Sequence, residues 1–430
     1  MAFPTGYSKY QTVTIDHTKC GSGNSSGFPA YINLANMVKV GADIFDTCRS
    51  DGGDIRATLS DGTTQLPTQL VTIDTTAKTG ELWVKIPTLS VSADTVIWIW
   101  YNGTDTALAR DNTYGSDNVW DSNYKGVFHL SENPAGSAPQ IKDSTVNAKN
   151  GTTAGSMTSG DSVAVKVGNG LDFDGSDDTV SMGDALDEVF IGASTIEFWA
   201  NNGQINDKLL GKGVWTSGGG FHILTRGDSK LYAEYTNSNA SDYIASRYTT
   251  ASVVDSTVRH YVITFGGTAN SISIYVNGTE ASSFAYSSAG TIGTGNTANF
   301  EIGASGGVGI LGKMDELRIS NTSRSTSYIT SCYNNQNSPS TFYTVSDEVA
   351  PAYAISGTVT LNASPVETAT VRCIAQTTNT TVAEQTTDAS GNYTFSDLDS
   401  AELYHLCVEY ETGGTKYSAK SYWDIAPVEV

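Results

Sequence analysis

The stretch Gly170-Leu-Asp-Phe-Asp-Gly-Ser-Asp-Asp-Thr-Val-Ser-Met-Gly183 decides the reading of the chain. Leu171 and Phe173 alternate with Asp172 and Asp174, so the apolar pair shares one face of a strand and the acidic pair the other. Gly175 supplies the positive φ that a tight turn demands, and Thr179 to Met182 returns as a second strand. A β-hairpin is the expectation. More strand-like segments follow: Ser194–Ala200, His260–Phe265, Ser271–Glu280, Phe300–Gly303 and Gly312–Ser320.

Composition supports the same class. Of 430 residues, 43 are Gly and only 16% are charged, a mixture that suits short strands joined by Gly, Asn and Asp turns. The length predicts two to four domains. The formal net charge of −21 argues against a nucleic-acid partner, which needs clustered Lys and Arg. No apolar run approaches the ~20 residues of a membrane helix, so no membrane insertion is expected. Met1 to Thr5 lacks a basic leader, so no secretion signal is expected either. The five cysteines (Cys20, Cys48, Cys332, Cys373, Cys407) are read as reduced. Cys20 with Cys48, and Cys373 with Cys407, are the pairs that strand placement could bring together.

Outward from the quoted stretch, the series of strands from Tyr124 to Tyr343 resembles the laminin-G-like, concanavalin-type jelly-roll family. Its end, Ser325 to Asn335, has a helical period with Tyr328, Ile329, Cys332 and Tyr333 on one face. Before it, residues 1–109 carry about seven short strands, as a β-sandwich does. Tyr7-x-x-Tyr-Gln-Thr-Val-Thr-Ile15, Gly53-Asp-Ile-Arg-Ala-Thr58, Glu81-Leu-Trp-Val-Lys-Ile-Pro87 and Trp98-Ile-Trp-Tyr-Asn-Gly103 make this part similar to the DUF2341 family, which implies no chemistry. Residues 110–123 read as a linker, as do 344–353. Residues 354–430, with Thr387-Asp-Ala-Ser-Gly-Asn-Tyr-Thr-Phe395, resemble the carboxypeptidase-regulatory-like, transthyretin-like sandwich. The expected fold is all-β: three β-sandwich domains in series, the central one (124–343) a concanavalin-like jelly roll.

Candidate chemistry is sparse. Gly23-Asn-Ser-Ser-Gly27 spells a nucleophile elbow, but another strand follows it instead of a helix. Gly307-Val-Gly-Ile-Leu-Gly312 spells a phosphate loop, again without a helix. Concanavalin-type folds also host glucanases, which need two convergent carboxylates about 5–10 Å apart. Glu197 stands alone on its strand, and adjacent Asp315 and Glu316 are expected on opposite faces. No enzyme is expected. The resemblance implies a structural Ca²⁺ held by Asp143 and Asp315, although the Gly of the family's D-x-S-G loop is missing here. Aromatic side chains stack on sugar rings, so Trp215, Phe221, Tyr232, Tyr235 and Tyr243, with His222 and Tyr248 beside them, are the candidate glycan-binding residues. His129 and His260 read as core histidines. The expected function is a noncatalytic virion surface protein (capsid decoration, head fibre or tail adhesin) attaching to host-surface glycans. It would be a homo-oligomer among other virion proteins. The alternatives are a secreted bacterial glycan-binding module or glycan-degrading enzyme, and a purely structural cementing protein.

Overall fold

The computed structural model describes residues 6–40, 43–187, 192–214, 217–236, 243–268, 271–287, 297–303, 309–349, 353–396, 398, 402–417 and 421–429. Nearly every element is a strand, as the composition predicts.

In the first part, Tyr7–Ile15 pairs with Thr95–Gly103 in a five-stranded sheet that continues through Arg56–Leu59 and Gln65–Leu66. A second sheet holds Ser25–Asn33, Thr79–Leu89 and Thr68–Asp74. Val13, Ile15, Phe28, Ile32, Val84, Ile97 and Ile99 alternate into the space between the two sheets. The fifth strand of the first sheet is Tyr343–Val345, paired with Val13–Ile15. The stretch 344–353 is therefore no simple linker. It covers the edge of Tyr7–Ile15, whose main-chain groups would otherwise lie open. Residues 110–123 are not a free linker either. Val119 and Trp120 are buried, and the Trp120 indole donates to Gln69 Oε1 at 2.7 Å.

The jelly roll has two eight-stranded sheets. The docked sheet, which faces the first sandwich, includes Asn169–Asp174, Leu311–Ser320, Ala193–Asn202, Asp255–Gly266 and Ile272–Val276. The outer sheet includes Thr179–Ser181, Phe300–Gly303, Lys208–Val214, Ser217–Thr225, Leu231–Thr236 and Tyr243–Thr249. The expected hairpin of the quoted stretch is not one. Asn169–Asp174 pairs within the docked sheet and Thr179–Ser181 within the outer sheet. Gly175 does turn at φ +80°, but the turn hands the chain from one sheet to the other. Leu171, Phe173 and Val180 all enter one core between the sheets, which a crossing satisfies as well as a hairpin would.

The helix Thr326–Asn337 is capped by Ser325, whose Oγ accepts from Tyr328 N–H at 3.2 Å. It is wedged between the two units. Tyr328 and Cys332 enter the first sandwich's core, while Ile329 packs on Val262 and Tyr275 of the jelly roll. The Asn335 amide accepts from Tyr31 N–H at 2.7 Å and donates to Tyr31 O at 2.9 Å, completing a strand edge. At Gly21 a Cβ would lie 2.4 Å from Ser327 O, so only glycine allows this approach.

The C-terminal part has its own core of Ile355, Val371, Cys373, Phe395, Tyr404 and Leu406, between small sheets. All five cysteines are free thiols. Cys373 faces Leu406 and Cys407 faces Arg372 across the ladder, so Cys373 and Cys407 point to opposite faces of the sheet.

Candidate functional site

Strand alternation assigns the faces of the outer sheet. Phe221, Ile223, Leu231, Ala233, Tyr235 and Ala245 enter the jelly-roll core. Their neighbours face away. Pairing lines up Glu301, Gly211, His222, Glu234 and Ser246 in one row across five strands. The next row is Lys208, Leu224, Tyr232 and Tyr248.

The His222 ring lies over two glycines. A Cβ at Gly220 would come within 2.7 Å of its Nε2, and one at Gly211 within 3.1 Å of its Nδ1. Burial, then the Lys208 charge, pushes its pKa down to about 3, so the ring is neutral at pH 7. Glu234 accepts from Arg226 Nη2 at 2.7 and 2.9 Å, and from Ser246 Oγ at 3.2 Å. Arg226 also lies over the Tyr232 ring, 5.1 Å from its centre. Tyr232 and Tyr248 pair at 5.2 Å between ring centres, and Lys230 Nζ sits 4.4 Å over Tyr248. The Tyr232 hydroxyl donates to Asp228 Oδ2 at 3.0 Å. The result is a half-exposed aromatic pair bordered by Arg226, Asp228 and Lys230, all from the turn that joins the two central strands.

Of the expected glycan residues, Tyr232 is on this face. Phe221 and Tyr235 are not: they are 0% and 1% exposed, with rings 4.8 Å apart in the core, and cannot meet a sugar. Trp215 lies outside the described residues, as do the Tyr243 side chain and Gly307. The charged turn was missed, although its signal, Arg226-Gly-Asp-Ser-Lys230 between two alternating strands, is in the sequence.

Asp143 and Asp315 are not brought together in any ligand cluster among the described residues. The Asp143 carboxylate accepts from the N–H groups of Val127, Thr145 and Lys149 and from the Thr145 hydroxyl, at 2.9–3.1 Å, and so staples its own loop. Asp315 Oδ2 accepts from the N–H groups of Lys166 and Val167 at 3.0 and 2.7 Å.

The outward face of the docked sheet holds the other polar cluster. Glu316 is at a β-bulge with φ +53°, which puts it on the same side as Asp315 rather than opposite. Arg318 bridges Glu316 and Glu197, and His129 Nδ1 lies 2.6 Å from Glu316 Oε1 and 3.3 Å from Glu81 Oε1. His260 Nε2 is 3.1 Å from Glu197. So Glu197 is not alone, and neither histidine sits among purely apolar neighbours. The cluster is sealed under Trp83, Trp120 and the helix Thr326–Asn337, where no substrate enters.

Burial, then the Glu316 charge, raises Glu81 well above the usual carboxylate range. The folded state thus keeps a proton that the unfolded state has lost. That stabilisation is complete below the unfolded pKa of about 4.3 and is lost as pH rises through the folded value. Glu81→Gln removes the charge and keeps the shape. Its melting temperature is expected to match wild type near pH 4 and exceed it near pH 9. An equal difference at both pH values would contradict the assignment.

The architecture defines a lectin-like jelly roll between other β units. Residues 174–330 match the concanavalin A-like lectin/glucanases superfamily, and residues 51–122 match the domain of unknown function DUF2341, so the chain contains a domain of each. No curated protein matches the chain. Among solved structures, it is similar to domain 4 of AbnA, an extracellular arabinanase of Geobacillus stearothermophilus, solved with arabinotriose. Identity is 16%, 48% of this chain and 97% of that one are covered, and the TM-score is 0.36. For the binding domain of botulinum neurotoxin serotype D the figures are 10%, 69%, 74% and 0.37. For the binding domain of Paraclostridial Mosquitocidal Protein 1 they are 12%, 71%, 70% and 0.36. Similarity at this level says nothing of function, which has to come from the side chains on the sheet.

Proposed function

We propose that the protein is a noncatalytic glycan-binding protein whose binding face is the outer sheet of the jelly roll. The observation that carries this is the Tyr232–Tyr248 pair with its border of Arg226, Asp228 and Lys230. Flat aromatic faces take the apolar face of a sugar, and charged donors and acceptors beside them fix its hydroxyls. The carboxylates on this face support binding over hydrolysis. Glu301 and Glu234 are three strand spacings apart, roughly 14 Å at the backbone. Glu234 is tied to Arg226, and Glu301 leans 3.7 Å from Lys208. The setting we propose is a virion surface, where copies of the chain associate with one another and with other virion proteins. The interlocked β units and the acidic, turn-rich chain support it. Cryo-electron microscopy of source particles tests the setting.

Binding is tested by glycan array followed by titration calorimetry of the best ligand. Tyr232→Ala and Tyr248→Ala are each expected to weaken binding about five- to thirty-fold, as the loss of a stacking platform worth about 1–2 kcal/mol would. Unchanged affinity in both would refute the site.

A further inference from the structure

The first sandwich carries a polar pocket of about 250 Å³, remote from the Tyr232–Tyr248 pair in sequence and in domain. All its lining residues lie between Asp51 and Ser116, inside the segment that matches the domain of unknown function. It forms where the chain leaving Thr95–Gly103 passes over the turn before Arg56–Leu59. The approach is close: a Cβ at Gly53 would lie 2.8 Å from Ala107 N, and one at Gly115 would lie 2.2 Å from Ala109 O. Thr68 N–H donates to Tyr114 O at 3.0 Å and ties down the far end of the passing segment. From the same segment, Arg110 Nη2 donates to the Asp143 and Thr145 carbonyls of the jelly roll, both at 3.3 Å. The pocket therefore sits near the junction of two domains, where small-molecule sites concentrate.

Its walls offer open donors. Arg56 is 3% exposed. Its Nη1 donates to Gly53 O and Ile55 O at 2.9 Å and its Nη2 to Thr106 O at 2.8 Å, which fixes the guanidinium. Among the described residues its one ion pair is loose: Asp105 Oδ2 is 3.8 Å away, on a side chain more than half exposed. Arg56 Nε donates to none of the described residues and is not sealed from solvent, so it opens on the pocket. A covered cation without a close anion is costly unless one meets it. The N–H groups of Ala107 and Leu108 and the hydroxyls of Thr68 and Ser116 also have no partner among the described residues. Asp51 supplies acceptors, and its hydrogen bonds from Arg49 and from Gly53 N–H hold its carboxyl below the usual range. Ile55 and Leu70 add apolar wall.

We propose that this pocket binds one hexuronic acid unit, the end or side branch of an acidic glycan. The sugar carboxylate would take the Arg56 Nε–H and the free N–H groups of Ala107 and Leu108, with Arg110 as a second cation in the wall. The sugar hydroxyls would donate to Asp51 and bond with Thr68 and Ser116. A guanidinium held in place reads a carboxylate well, because charge-assisted hydrogen bonds are roughly twice as strong as neutral ones. The volume falls below the ~300–1,000 Å³ of drug-sized sites, so the pocket suits a single sugar unit and not a chain. A bare anion such as sulfate would meet Arg56 but would also face the Asp51 carboxylate, which asks for hydroxyl donors. This site is independent of the Tyr232–Tyr248 face, and either can be lost without the other.

The test titrates the full chain with methyl glucuronide, with methyl glucoside, which lacks only the carboxylate, and with sodium sulfate. Wild type is expected to bind one glucuronide, and to bind the glucoside and sulfate each at least ten-fold more weakly. Arg56→Gln is expected to lose the preference for glucuronide over glucoside, a ratio that a merely structural arginine would not move. If Arg56→Gln does not fold, the half-exposed Arg110→Gln is expected to weaken glucuronide binding at least ten-fold. The proposal is overturned by no glucuronide binding in wild type, or by glucoside or sulfate binding as tightly. It is equally overturned by an unchanged preference in a folded Arg56→Gln, or by unchanged affinity in Arg110→Gln.

Discussion

Arg318→Met is expected to destabilise the protein by about 3–5 kcal/mol, the cost of leaving buried charge unpaired. Arg318 is 1% exposed. Its guanidinium faces Glu316 and Glu197 and lies 4.3 Å over the centre of the Trp83 ring. Burial pushes both glutamates up, but His129 and Arg318 pull Glu316 below its ordinary range, and Arg318 and His260 pull Glu197 down to about 2. Both are therefore anions at neutral pH. Removing the cation leaves them facing each other away from water. Methionine fills similar volume, so the loss reports charge and not a cavity. The triple variant Arg318→Met, Glu316→Gln, Glu197→Gln is expected to regain most of the loss, because replacing a whole buried ion group is far cheaper than breaking it. Urea denaturation reads both. A single variant within 1 kcal/mol of wild type would show that water reaches the cluster.

The second large effect concerns the first sandwich. A chain ending at residue 109 is expected not to fold, while one ending at residue 349 folds cooperatively. The first core takes Tyr328, Cys332, Phe342 and Tyr343 from more than two hundred residues downstream. Each such side chain contributes about 1.5–3 kcal/mol on burial, so together they rival the ~5–15 kcal/mol that holds a typical domain. The short chain would also expose the edge of Tyr7–Ile15 that Tyr343–Val345 covers. Circular dichroism and urea titration distinguish the outcomes. A cooperative transition in the short chain would mean that the sandwich is self-sufficient.

Both predictions rest on contacts that the sequence did not display. Alternation in Leu171-Asp-Phe173 showed which side chains are inside, but not which strand lies alongside. A turn with Gly175 at positive φ serves a hairpin and a sheet-to-sheet crossing equally well. On the outer sheet the period of two was legible and its phase was not. Phe221 and Tyr235 fall on the inward phase, Tyr232 and Tyr248 on the outward one, and all four are aromatic. The bulge at Glu316 breaks the alternation without a glycine to mark it, which hid the clustering of Asp315, Glu316 and Glu197. The Asp143 loop was legible in one sense: Asp-Ser-Thr is a turn-forming stretch, and the carboxylate caps that turn. The all-β class was legible throughout, because it needs only composition, alternation and turn residues.

The most direct test of glycan binding is a crystal structure of the full chain with the best glycan from the array. The sugar is predicted to lie on the Tyr232–Tyr248 pair, with hydroxyls bonded to Arg226, Asp228 or Lys230. A sugar bound elsewhere would contradict it, for instance in the cavity of about 380 Å³ lined by Val359, Tyr393, Tyr410 and Tyr417 in the C-terminal part. The outer sheet would then be a structural surface, and recognition would belong to another domain.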